Sequence, residues 1–169
     1  DLSKKVAAIE SLDEILEILV QMTTAEIGAE RGTLFLNDPQ SEELYSRVAQ
    51  GTFKREIRIL NSSGVAGHVF TSGEGLIIDD AYADKRFNRT VDEQTGLKTE
   101  NIICAPIKTV MGEVIGVSQA LNKKEGSFSD EDLALLEAMT TQAAVALQSR
   151  QFVERMKKSR AQEMEFLDI

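Results

Sequence analysis

An α+β fold, with an antiparallel sheet of about six strands, follows from three observations along the chain. Helical periodicity occupies both ends, and six short runs rich in β-branched and aliphatic residues lie between them. Among those runs, residues 79–98 are polar and turn-rich, whereas 102–107 and 114–121 are strand-like and joined through Met111-Gly112-Glu113. A cap hinged onto a sheet is the arrangement this pairing suggests, and the rest of the chain reads as its support.

Bulk properties exclude several classes. With 169 residues, 42% hydrophobic and 28% charged, the chain suits one domain with a core large enough to stand alone. A net charge of −9 disfavours a nucleic-acid surface and an anionic membrane, because binding either needs clustered Lys and Arg. The single cysteine, Cys104, excludes an intramolecular disulfide and a multi-cysteine metal site. No apolar run reaches the roughly 18 residues of a membrane span. A reducing, cytoplasmic setting is expected. The chain opens at Asp1 without a methionine or signal-like segment and closes inside a helical pattern, so a piece of a longer protein is expected.

The first helical pattern covers residues 2–28. Leu12, Ile15, Leu16, Leu19, Met22 and Ala25 fall on one face, and Ser11-Leu12-Asp13-Glu14 has capping-box spacing, so a break near Ser11 follows a shorter helix carrying Val6 and Ile9. Thr33-Leu34-Phe35-Leu36 reads as a buried strand ended by the turn chemistry of Asn37-Asp38-Pro39. Residues 44–49 return antiparallel, and 53–60, with Ile57 and Ile59 alternating against Arg58 and Glu56, make a half-exposed third strand. Ser62 or Ser63 is positioned to cap a short helix beginning Gly64-Val65-Ala66-Gly67, whose first amides are an anion-friendly site if left open. The alternative is that both glycines serve only close packing on the sheet. Residues 76–78 form a short strand, and 79–98 read as short helices and loops.

The strands resume with 102–107, where Pro106 has no N–H to give a ladder and is expected at a bulge or an unpaired edge. After 114–121, Ser129-Asp130-Glu131-Asp132 starts a long helix with acids in its first turn. Its stripe is Leu133, Leu136, Met139, Ala143, Ala146 and Leu147, continuing sparsely through Phe152 or Val153 and Met156 to Phe166. Past Ser149 the helix is expected to leave the domain, and its thin apolar seam predicts a homodimer joined through the terminal helices. The division is therefore a linker helix over 1–10, a domain over 11–148 and a signalling or coiled-coil helix over 149–169.

In this order, the motifs Gly64-Val65-Ala66-Gly67-His68-Val69, Asp80-Ala81-Tyr82, Arg86-Phe87-Asn88-Arg89, Val91-Asp92-Glu93-Gln94-Thr95-Gly96 and Asn122-Lys123 carry a resemblance. Over about 11–148 the chain resembles a GAF domain, of the cyclic-nucleotide-binding type found in cyanobacterial adenylyl cyclases and animal phosphodiesterases. The resemblance implies long terminal helices on one face of the sheet and short helices capping a ligand pocket on the other. The Asn-Lys...Phe...Asp-Glu signature of such domains appears as Asn122, Lys123, Phe128, Asp130 and Glu131, with only Ser129 before the acidic pair where the family has three residues. The shortening leaves open which acid pairs with Lys123 in the salt bridge that braces the family's last helix.

The resemblance further implies that Thr33 and Gln50 read a base, that Val65 and Ala66 present backbone to the ligand, and that Phe87, Val91, Asp92, Thr95 and Thr99 belong to the cap. Gln119 matches a polar position of the later strand. Ala49 stands where some relatives stack an aromatic on guanine, and Gln50 replaces an acidic neighbour. An amide both donates and accepts, as adenine requires, so cAMP is favoured over cGMP. Such a ligand is anionic, and in a chain at −9 it needs helix amides near Gly64 and Asn88 rather than the overall field. Thr95 and Thr99 are four apart and would face the same way on one helix, either toward the ligand or capping their own turns.

Other chemistry is thin. His68, the sole histidine, argues against a histidine metal cluster and is expected to pack or cap within its helix. Cys104 reads as a buried small hydrophobe. Asp79, Asp80, Asp84, Asp92 and Glu93 lack an accompanying nucleophile, phosphate loop or metal motif, so catalysis, a cofactor and a metal are not expected. The function implied is a regulatory sensor for a cyclic nucleotide, attached to a cyclase, phosphodiesterase or other signalling enzyme. The alternatives are a ligand-free dimerisation module or a pocket for another metabolite.

Overall fold

The computed structural model describes residues 12–49 and 56–167, with 91, 94, 95 and 165–167 described by backbone alone. The expected helix over 1–10, the cap at Ser11, Gln50 and the start of the third strand at Phe53 lie outside the described residues, as do the side chains of Val91, Thr95 and Phe166. In chain order the elements are α1 (Leu12–Glu26), β1 (Ala29–Asp38), β2 (Glu43–Ala49), β3 (Arg58–Leu60), α2 (Gly64–Ser72) and β4 (Leu76–Ile78). A 3₁₀ turn (Ala81–Ala83), α3 (Thr90–Thr95), β5 (Ile102–Lys108), β6 (Val114–Lys123) and α4 (Asp130–Leu167) follow.

The strands form one antiparallel six-stranded sheet in the order β3-β2-β1-β6-β5-β4. Each strand alternates between two apolar faces. Leu34, Ala120, Ile103, Ala105 and Ile107 point to the face covered by Leu12, Leu16 and Val20 of α1 and by Leu136, Met139, Ala143 and Leu147 of α4. Phe35, Val117, Ile102, Cys104 and Ile78 point to the other, beneath Val65, Ala66 and Val69 of α2. Pro106 lies past the end of β4, whose ladder stops at the Leu76–Cys104 pair, so one edge of β5 there carries no strand.

The expected face of α1 is corrected. Leu12, Leu16, Val20 and Thr24 are buried, while Ile15 is 40% and Met22 65% exposed and Ala25 faces out. Gly32 of β1 explains the rotation. A Cβ there would lie 2.1 Å from Thr24 Oγ1 and 3.2 Å from Val20 Cγ1, so α1 rests its Val20–Thr24 edge directly on that glycine. Thr33 and its neighbours extend as β1 well beyond the short run expected, because β6 pairs with it from Ala29 to Leu36.

α2 begins at Gly64 with Ser63 at its N-cap, yet the Ser63 side chain makes no capping bond. Gly67 serves packing: a Cβ there would lie 2.8 Å from the backbone carbon of Ser62. In α4 the stripe from Leu136 to Leu147 is buried as expected, and the helix runs on without a break to Leu167, its side chains exposed or half-exposed from Gln148 to Met164.

Gly116 in β6 has the least tolerant surroundings, since an added Cβ would stand 2.2 Å from the backbone oxygen of Phe35. Backbone cannot rotate away as a side chain can. Gly116→Ala is expected to cost about 3 kcal/mol, which lowers the melting temperature by roughly 6–12 °C in a chain of this size. Gly112→Ala, at a hairpin tip with φ +85° and no atom within 4 Å, should cost only about 1 kcal/mol. Calorimetric melting of both variants checks the contrast.

Candidate functional site

The face beneath α2 is apolar except along one row. Thr33 of β1 pairs with Gln119 of β6, Gln119 pairs with Cys104 of β5, and Thr33 pairs on its other side with Ala49 of β2. Cross-strand partners share a face, so these four side chains run side by side across four strands. Thr33 is 7% and Cys104 0% exposed, and Gln119 is half-buried. Burial pushes the Cys104 thiol far above its ordinary pKa, so it lies there as a neutral, unreactive group. Val65 and Ala66 are buried on the side of α2 that faces this sheet.

The cap is held by one carboxylate. Asp92 of α3, 7% exposed, accepts from the Tyr82 hydroxyl at 2.8 Å, the Thr99 hydroxyl at 2.7 Å and the Thr99 amide at 2.7 Å. Three short bonds on one carboxylate fix the side chain's position between the 3₁₀ turn, α3 and the stretch leading to β5. Tyr82 is itself a hub: Phe87 stacks at 5.2 Å between ring centroids, and the Arg89 guanidinium sits 4.6 Å from its ring centre. The hydrogen bond to Asp92, with burial, raises the phenol's pKa above the usual tyrosine value.

Thr95 and Thr99 do not share a helix face, contrary to the four-residue spacing. Gly96 takes φ +73° and ends α3 at Thr95, which leaves Thr99 in the extended stretch leading to β5. That stretch is pinned by Asn122, a non-glycine residue at φ +63°. Its side-chain amide donates to Lys98 O at 2.8 Å and to Glu30 at 3.2 Å, and its oxygen accepts from the Glu100 amide at 2.6 Å.

Lys123 donates to Ile27 O at 2.7 Å and to Asp132 Oδ2 at 2.8 Å. Asp130 and Glu131, the acidic pair of the signature, are exposed in the first turn of α4; Asp132, four residues past Phe128, faces inward and is the partner that the sequence left open. Three intervening residues, 129–131, give the helix enough turn to aim the carboxylate at the sheet. Phe128 is 5% exposed, with its ring 5.9 Å from the Lys123 ammonium. Burial alone would raise the Asp132 carboxyl, but the bonds from Lys123 and the Ser129 amide outweigh it and hold it below the usual carboxylate range.

The sequence-derived set is thus brought together in part. Thr33 and Gln119 share the sheet face on which Val65 and Ala66 pack, and Asp92 and Thr99 join by hydrogen bonds in the 79–99 segment. Phe87 turns away to Tyr82 and lines a separate cleft of about 730 Å³ with Gly64, His68, Lys85 and Asn88 on the outer side of α2. His68 is exposed there rather than packed. Tyr82 and Asp132 were not singled out by spacing, although the interval of three residues after Phe128 was a signal for the second. No sequence period links Tyr82 to Asp92.

A model of the GAF domain family matches residues 11–147. The chain is 33% identical over 161 residues to a probable 3′,5′-cyclic phosphodiesterase of Caenorhabditis elegans, covering 88% of this chain and 22% of that protein. It is 32% identical over 168 residues to the dual 3′,5′-cyclic-AMP and -GMP phosphodiesterase 11 of Drosophila melanogaster, covering 89% of this chain and 12% of that one. The chain therefore spans under a quarter of either relative. Among solved structures it resembles the GAF domain of a phosphoenolpyruvate-protein phosphotransferase from Coxiella burnetii, with TM-score 0.76 at 18% identity over 91% of this chain and 94% of that one. The corresponding domain from Acinetobacter gives TM-score 0.73 at 19% identity, with the same coverage. These structural likenesses speak to the fold alone.

Because the Asp132 pKa is depressed in the folded state, its contribution is present above the unfolded value near 4 and is lost as pH falls through the folded value. Asp132→Asn should cost about 2 kcal/mol at pH 7 and should flatten the fall in stability between about pH 5 and pH 3. Urea denaturation of both proteins across that range measures it.

Proposed function

The chain belongs to the GAF domain family, and from that premise we propose that it is a regulatory sensor module that binds a cyclic nucleotide, with cAMP favoured over cGMP. The observation that carries the reading is the polar pair Thr33 and Gln119 on the sheet face that α2 packs against, in a fold whose 79–98 segment is anchored on Asp92. A purine edge on this pair would find groups that both donate and accept, and the amide of Gln50, to which the resemblance assigns base reading, has the same capacity. The α2 amides at Val65 and Ala66, free of a Ser63 side-chain cap, would receive the phosphate. The family membership, and relatives named as cyclic phosphodiesterases, support a cyclic nucleotide over other anions. We assign the module no catalytic step. In a longer signalling protein it would pass the ligand state to an output domain through α1 and α4.

Dimerisation is the second part of the proposal. Ile15, Ile18 and Met22 of α1 and Val145, Phe152 and Met156 of α4 are exposed apolar side chains on the two helices that cover the same sheet face. Positions 145, 152 and 156 follow coiled-coil spacing, and a second copy of the chain would cover them.

Calorimetric titration with cAMP and then cGMP, on protein shown by mass spectrometry to carry no nucleotide, should give saturable binding with the tighter constant for cAMP. Thr33→Val removes one hydroxyl without changing shape and should weaken binding about tenfold, or ~1.4 kcal/mol. A folded, nucleotide-free sample that binds neither ligand would sink the sensor reading in favour of a dimerisation module or a site for another metabolite. Phe152→Glu with Met156→Glu should move the sedimentation coefficient from dimer to monomer; an unchanged coefficient would remove the coiled-coil proposal.

A further inference from the structure

We propose that residues 98–101 form a strap coupling the cap to the start of α4, so that the cap and the terminal helices order or loosen together; as a route for signal it rests on the sensor reading above, but the coupling exists without ligand. The strap has no regular secondary structure, and among the described residues its hydrogen bonds lead to two places. Toward the cap, the Thr99 amide and hydroxyl both donate to Asp92, which also takes the Tyr82 hydroxyl, and Glu100 O accepts the Ala81 amide at 2.8 Å. Toward the helices, Lys98 O and the Glu100 amide bond the Asn122 side chain, the Asn122 amide donates to Asn101 O at 2.9 Å, and Asn101 Oδ1 accepts the Lys123 amide at 2.7 Å.

Lys123 completes the connection. Its ammonium joins Ile27 O, just past the end of α1, to Asp132 in the first turn of α4. Four residues thus carry contacts from Tyr82 at one end to Asp132 at the other: Thr99 is buried and Asn101 half-buried, while Lys98 and Glu100 are exposed and join through their backbone groups. Among the described residues no buried side-chain nitrogen or oxygen lacks a partner. That satisfaction makes the arrangement cooperative: releasing the Asp92 end leaves the Thr99 amide and hydroxyl without acceptors, and the least costly response is for the strap to move as a unit. Asn122, held at φ +63°, is poised to follow, since a left-handed asparagine is retained only while its surroundings require it. Tyr82 and Asp132 are positioning residues in this scheme, acting through the strap rather than on a ligand.

Amide hydrogen exchange on the full chain, without nucleotide, tests the coupling directly. Asp132→Asn should accelerate exchange at Thr99 and Glu100 and within α3 about tenfold, a local loss of ~1.4 kcal/mol, while β2 and β3 at the far edge of the sheet stay at their wild-type rates. Tyr82→Phe, which removes only a hydroxyl, should in turn accelerate the amides of Asp132 and Leu133. Acceleration confined to 123–136 in the first variant and to 80–99 in the second overturns the strap, as does acceleration spread evenly over all six strands. Adding cAMP separates the two readings. Coupled exchange in a protein that binds no nucleotide keeps the strap and removes the sensor, whereas cAMP binding without coupled exchange does the reverse.

Discussion

The Lys123 ammonium is the fastening on which the rest of the molecule depends. It is half-buried between the carbonyl of Ile27 and the carboxylate of Asp132, so it ties the end of α1 and the start of α4 to the same strand. A charge in such a place is stable only while both partners remain, and breaking one leaves the other uncompensated. It adds a polar tie near the end of α1 and at the start of α4 to their apolar contact with the sheet, as the Arg47–Asp13 ion pair does at the first turn of α1. Its neighbour Asn122 does the corresponding work for the loop on the other side of β6.

Around that fastening the sheet separates two kinds of surface. One face is a continuous apolar core against α1 and α4, with close approaches enforced by Gly32 and Gly116. The other is apolar with a polar row, Thr33 beside Gln119, and the 79–98 segment that packs on it has, among the described residues, one buried carboxylate, Asp92, which accepts three hydrogen bonds. The first face carries the larger apolar cluster, and the hydroxyls of Ser118 and Thr140 buried with it donate to backbone oxygens. The 79–98 segment is held on the second face both by the hydrogen bonds at Asp92 and by the packing of Ala81, Tyr82 and Phe87, and it lies apart from the main core between the sheet and the long helices.

Much of this was legible from the residues alone: the α+β class, the six strands, the cap over residues 79–98, the stripe of α4 from Leu136 to Leu147 and the family itself. These rest on local pattern, where period, turn residues and helix start signals act within a few positions of one another. Tertiary structure decided which edge of α1 faces inward, because Gly32 sets that approach from another element. It decided that Gly96 ends α3 before Thr99, that Asp132 rather than Asp130 or Glu131 meets Lys123, and that Tyr82 completes the shell of Asp92. Each of these depends on where a side chain points after the chain has returned from elsewhere, and a linear sequence encodes such directions only through the packed whole.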